Sequence, residues 1–202
     1  AVLTQPDLKS QQGRRDAVLL SVLYDSGARV QELIDLKLSD VRLEPPAYLK
    51  LTGKGRKTRP VPLMENTVEL LRQYVRENRL DRQEQSDEPL FRNAWGGRLS
   101  QSGVRYVITK YARRAQADRV SLPRKISPHW LRHTKGMHLL QAGISLEMIR
   151  DILGHTDVKT TEIYVRADLD MKRAALLKVE GGFPKVALPS WQKDKGLMDW
   201  LK

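Results

Sequence analysis

The sequence contains no cysteine. That absence excludes disulfide frameworks, thiolate metal sites and thiol nucleophiles, and makes a reducing cytosolic or nucleoid setting the plain reading. Long hydrophobic runs are missing too. "AVLLSVL", residues 17–23, is typical of the apolar stretches present, and it falls far short of the roughly 20 residues needed to cross a bilayer. No nucleotide-type phosphate loop is present, because "TGKG" at 52–55 lacks the second half of a Walker motif. Internal repeats and low-complexity segments are likewise absent. What remains is a soluble chain of 202 residues, 40% hydrophobic, long enough to bury a core.

Acidic residues are scarce in two places, and there the charge becomes informative. Overall, 36 Lys and Arg face 24 Asp and Glu, a net charge of +12. Residues 50–60, "KLTGKGRKTRP", carry five basic residues and no acid, and residues 104–132 carry eight against Asp118 alone. Those segments account for the whole excess, so the rest of the chain is balanced. Clustered Lys and Arg release counterions from a phosphate backbone, so the pattern points to a polyanion partner. A membrane surface fits less well, since neither segment pairs its charge with a long apolar helical face.

Periodicity predicts a mainly helical chain with one small sheet. Residues 12–26 read as a helix with an apolar stripe at Val18, Leu19, Val22 and Leu23, and a short second helix follows over 29–36. "DVRLEP", "AYLKLT" and "RPVPL" are strand-like and enclose a Gly- and Lys-rich turn, which predicts an antiparallel sheet with a basic hairpin tip. Helices are expected again over 65–78, from Ser100 or Ser102 to about 118, from Pro128 to about 141 with Ser127 as cap, and from Ser145 to Leu153 with Gly154 as stop. "EPLFRNAWGGRLS" reads as a loop carrying Trp95. Further helices are expected through Tyr164 and over 168–178. Beyond them, "GGFPKVALPSW" reads as a linker to a terminal helix with Leu197, Met198, Trp200 and Leu201 on its apolar face. Such a helix is unstable alone and must dock, on its own domain or on a neighbour.

All four histidines lie between 129 and 155. His129, Arg132 and His133, at i, i+3 and i+4, share one helix face. The histidine pair has the spacing of a zinc site, but Trp130 stands where a metalloprotease needs Glu, so no metal is expected. A phosphate suits the set better. Arg132 offers a planar fork to two oxygens, and Arg29 stands at a helix start where backbone amides favour an anion.

In order along the chain come "SGARVQELIDLKLSDV", "TGKGRKTRPVPL", "HWLRHTKGMHLLQAG" and "LGHTDVKTTEIY". Over about residues 14–170 their order and spacing resemble the catalytic domain of the tyrosine recombinases, the phage-integrase and Xer-like group. The resemblance implies a mixed α/β, mainly α fold: a helical domain with a small three-stranded antiparallel sheet. It implies catalytic roles for Arg29, Lys54, His129, Arg132, His155 and the nucleophile Tyr164, with Glu32 and His133 in support. Ala28, Gln31, Lys135 and Gly136 depart from the usual residues, all beside the motif positions. Lys50, Arg56, Lys57, Arg59, Arg105, Lys110, Arg113, Arg114, Arg124 and Lys125 are expected on the DNA backbone.

The implied function is site-specific cleavage and rejoining of double-stranded DNA through a 3′-phosphotyrosyl intermediate, for integration or excision of a mobile element. No cofactor or metal is implied. A non-catalytic DNA-binding module and a type IB topoisomerase-like enzyme stay open as alternatives. The implied setting is cytoplasmic and nucleoid-associated, and the implied assembly is a homo-oligomer on DNA, a tetrameric synapse joined through the C-terminal helix. Residues 1–12 read as the remnant of a linker to a core-binding domain that this sequence lacks, 13–180 as the catalytic domain, and 181–202 as linker plus docking helix.

Overall fold

The computed structural model describes residues 1–80, 87–93, 95–118, 122, 123, 125–154, 164, 167, 169, 171 and 172, with Lys54 described in its backbone alone. Contacts divide the chain into two units, Ala1–Tyr164 and Val165–Lys202. The expected docking helix over 181–202 lies outside the described residues. Of the second unit, Ala167, Leu169, Met171 and Lys172 are helical.

The first unit is organised around α1, Gln11–Ser26. The Ser10 hydroxyl accepts from the Gly13 amide to start it, and Gly27, at φ +55°, stops it in the left-handed region that a side chain disfavours. The stripe at Val18, Leu19, Val22 and Leu23 is fully buried. Each such side chain contributes about 1.5–3 kcal/mol of burial. Against this helix packs α3, Glu65–Glu77, which follows a three-stranded antiparallel sheet of β1 (Val41–Arg42), β2 (Tyr48–Thr52) and β3 (Thr58–Pro62) in that order. Leu49 and Leu51 point into the core while Lys50 and Thr52 face out. Two prolines are tolerated in β3 because, among the described residues, it is an edge strand pairing with β2 alone.

The remaining helices are α2 (Val30–Asp35), α4 (Gln101–Ala117), α5 (Pro128–Gln141) and α6 (Leu146–Leu153). Their caps are the expected ones. Ser100, Ser127 and Ser145 each accept a hydrogen bond from an amide three residues on, and Gly154 closes α6 at φ +65°. Tyr111 and Phe91 are the largest fully buried side chains. No helix among the described residues is long and apolar enough to cross a membrane.

Within segment 1–12, read as a linker remnant, Val2 is buried in the core and Gln5 Nε2 donates to Asp118 at 3.0 Å. Lys110 was expected on a phosphate backbone. Instead its ammonium lies 3.3 Å from Asp16, a fully buried carboxylate that also takes Arg15 at 2.6 Å and the Tyr111 hydroxyl at 2.9 Å. A buried carboxylate needs such partners, and Lys110, 22% exposed, is one of them.

Candidate active site

Arg29 caps the N-terminus of α2, and Glu32, one turn on, reaches back to it. The Glu32 carboxylate accepts from the Arg29 amide at 2.8 Å and from Arg29 Nη1 at 2.9 Å. From β3, Arg59 adds Nη1 at 3.0 Å and Nη2 at 2.9 Å. Burial alone would push the Glu32 carboxyl up, but the hydrogen bonds from Arg59 and Arg29 and the Arg59 charge outweigh it and hold it below the ordinary value of 4.5. A carboxylate whose folded value is depressed stabilises the fold above its unfolded value and loses that contribution as pH falls through the folded one. Lowering the pH from about 6 to about 3 should therefore lower Tm, and Glu32→Gln should flatten part of that slope; melts across the range check it. Equal slopes would count against the assignment.

Three arginines converge on the end of α6. Arg59 Nε donates to the Ile152 carbonyl at 3.1 Å, Arg132 Nη2 to that of Leu153, and Arg29 Nη2 to that of Gly154 at 2.9 Å. The last carbonyls of a helix lack partners within it and carry its negative pole, so they attract guanidinium groups. Gly154 is required here twice over, by its left-handed φ and because a Cβ would lie 2.7 Å from the Arg59 guanidinium carbon. Arg132 Nη1 also donates to the Gly27 carbonyl at 2.5 Å. Burial and the Arg29 charge push the Arg132 guanidinium down to about 10, which leaves it cationic at neutral pH.

Beside these groups a cavity of about 340 Å³ is lined by Ala28, Arg29, Val30, Arg105, Ser127, Pro128, His129 and Arg132. His129 and Arg132 enter it from the first turns of α5, the direction in which unpaired helix amides favour an anion. No carboxylate is among these lining residues. Tyr164 is nearby and only 3% exposed. Its ring lies 5.5 Å from that of His133, and it sits on Gly136, where a Cβ would come within 2.6 Å of its Cζ. Burial raises the phenol above 10 while the Arg132 charge pulls it down. His133 is depressed below its ordinary value by burial and by the His129 charge.

A tyrosine held beside an arginine-lined cavity repeats the pattern of the four motifs, and residues 3–170 match the family model described as the phage integrase family. The chain belongs to the phage integrase family. It is 39% identical over 164 residues to a tyrosine recombinase XerC of Pelotomaculum thermopropionicum, covering 79% of this chain and 52% of that protein. It is also similar to the crystal structure of XerA recombinase (TM-score 0.64, 33% identity, 75% of this chain and 51% of that one). A third likeness is to XerH bound to difH substrate in a pre-cleavage complex (TM-score 0.68, 26% identity, 81% and 46%). The chain spans about half the length of the relatives it matches.

Of the phage-integrase residues expected at the site, the fold brings together Arg29, Glu32, His129, Arg132, His133 and Tyr164. The Lys54 backbone lies in the β2–β3 turn, closed by the Gly53 amide donating to the Lys57 carbonyl at 2.9 Å; its side chain, like all of His155, lies outside the described residues. Lys50, Arg56, Lys57, Arg113, Arg114 and Lys125 are exposed, and Arg124 lies outside the described residues. Arg59 is a correction. Expected on a DNA phosphate, it is 14% exposed and spends its three nitrogens on Glu32 and Ile152, so it positions α2 against α6. Arg105 and Gly136 carry more than the sequence suggested: the first lines the cavity and the second seats the tyrosine. For Gly136 a signal existed, since its place in "HTKGMH" departs from the small apolar residues usual in the family.

Proposed function

We propose that this chain is the catalytic part of a site-specific DNA recombinase, cleaving and rejoining double-stranded DNA for integration or excision of a mobile element. One observation carries the reading: Arg29, Arg105, His129 and Arg132 line one cavity, and the Arg132 charge acts on Tyr164. A phosphodiester seated there would place its nonbridging oxygens on the guanidinium groups. These would also stabilise the added charge of the pentacoordinate transition state, usually the largest single catalytic term.

In the proposed step Tyr164 Oη attacks phosphorus, the bond to the 5′ oxygen breaks, and a 3′-phosphotyrosyl ester remains with a free 5′ hydroxyl. The phenol proton passes to a base, the role proposed for His129, and the leaving oxygen takes a proton from Lys54, the proposed acid. At pH 7 a phenol of ordinary pKa near 10 is only about 0.1% ionised, a deficit of roughly 4 kcal/mol that neighbouring cations must offset. Attack by the 5′ hydroxyl of a second strand reverses the chemistry with bond energy conserved, so no nucleotide is consumed. Assembly on DNA through residues 181–202 belongs to the same reading and rests on their sequence.

The test is a nicked duplex that traps cleavage by losing its short 5′ fragment. Incubation with the full chain should give a denaturant-stable protein–DNA adduct whose DNA is mapped to Tyr164 by peptide sequencing. Duplex binding without an adduct on the ends of a surrounding mobile element would leave a binding module instead. Relaxation of supercoiled plasmid without strand exchange would favour the topoisomerase reading.

A further inference from the structure

The most exposed large apolar side chain among the described residues is Trp95, 90% exposed. An indole offers 150–250 Å² of contact area to a partner. Its turn is built rather than loose. Asn93 Oδ1 accepts from the amides of Trp95 at 2.9 Å and Gly97 at 3.0 Å, Asn93 Nδ2 donates to the Arg98 carbonyl at 3.1 Å, and the Asn93 amide donates to the Gly97 carbonyl at 2.7 Å. Gly96, at φ +80°, takes a left-handed conformation at the tip.

The turn stands on the far end of the helix that begins at the cavity. α2 and the start of α4 run past each other in opposite directions. Arg29 and Arg105 share the cavity, Gln101 Nε2 donates to Gln31 Oε1 at 2.9 Å, and Arg98 pairs with Asp35 and donates from Nε to the Ile34 carbonyl at 3.3 Å. Six helical residues span about 9 Å, and Trp95, three residues beyond Arg98, adds at most about 10 Å. Trp95 thus lies within about 20 Å of the cavity, roughly six base-pair rises of 3.4 Å. Along that edge Gln31, Arg98, Gln101, Arg105 and Tyr106 are exposed. Asp35, the one acid among them, is neutralised by Arg98 and held by Gln31 at 2.9 Å.

We propose that Trp95 is a DNA-contacting residue: a duplex with one phosphate in the cavity follows the α2–α4 edge and meets the indole, which packs on base or sugar. The inference rests on the proposed function and adds to it a contact of different physical kind. Arginine contacts release counterions and steepen salt dependence, whereas an aromatic contact releases none. Binding of a mixed-sequence 30-base-pair duplex is therefore measured across salt concentrations for the full chain and for Trp95→Ala, Trp95→Phe and Arg105→Ala. Trp95→Ala should weaken binding about 5- to 100-fold with the salt slope unchanged, and Trp95→Phe should recover most of the loss. Arg105→Ala should reduce the slope by about one. Unaltered melting of Trp95→Ala controls for folding. Affinity of Trp95→Ala within twofold of the parent chain overturns the proposal and leaves the recombinase reading intact; a parent chain with no salt-dependent duplex binding sinks both.

Discussion

Arg132→Ala is expected to reduce phosphotyrosyl adduct formation by about 10³-fold or more and to destabilise the fold by about 2–4 kcal/mol. Both effects come from one guanidinium. It faces the cavity, and it also ties the end of α1 to the end of α6 through the carbonyls of Gly27 and Leu153. Removing it leaves two covered acceptors without their donor. Part of the loss is returned, because Arg132 is itself buried and repelled by Arg29 and Arg59. For a chain of this length such a loss corresponds to a fall in Tm of about 5–15 °C. Arg132→Lys separates the roles. It keeps the charge, but a point ammonium cannot span two carbonyls as a planar fork does, so about 1–2 kcal/mol is still lost and the adduct rate falls about 100-fold. Thermal melts and adduct time courses on the nicked duplex measure the two effects. An Arg132→Ala rate within tenfold of the parent chain would remove Arg132 from the chemistry.

How far the sequence reaches is clearest on α5. Ser127, Pro128 and the i, i+3, i+4 set of His129, Arg132 and His133 are local features, governed by capping and by 3.6-residue geometry, and the helix lies where they place it. The same holds for the α1 stripe and the β2–β3 hairpin. What the sequence hides is the use of a charge after folding. Arg59 and Lys110 stand in basic segments and look alike on paper. Each is captured by a buried carboxylate, Glu32 at a distance of 27 residues and Asp16 at a distance of 94. Composition reports that a segment is basic; only tertiary contact decides which of its cations remain for a partner. Gathering three arginines on consecutive α6 carbonyls is equally nonlocal, for it needs α2, β3 and α5 to meet at one helix end.

Gly136→Ala should destabilise the parent chain by about 1–3 kcal/mol, yet stabilise a Tyr164→Ala chain by about 1 kcal/mol. The sign changes because two effects oppose each other. Gly136 lies inside α5, where alanine is the better helix former, but the added Cβ would stand 2.6 Å from Tyr164 Cζ and 2.7 Å from its Cε1. With the phenol present the overlap dominates and the ring must leave; with it absent only the helix preference remains. Residues in direct contact couple in this way, and a double-mutant cycle isolates the coupling. Denaturant melts of the four chains measure it, and additive effects would show that Tyr164 does not rest on Gly136. A second readout follows from the same displacement. Burial holds the Tyr164 phenol above its ordinary value, so expelling the ring toward water and the nearby guanidinium groups should bring its titration down. The ultraviolet titration difference between Gly136→Ala and Gly136→Ala with Tyr164→Phe reports that group alone. Its midpoint should fall below the one obtained from the parent chain and Tyr164→Phe, because water, unlike the Gly136 seat, stabilises the phenolate needed for attack.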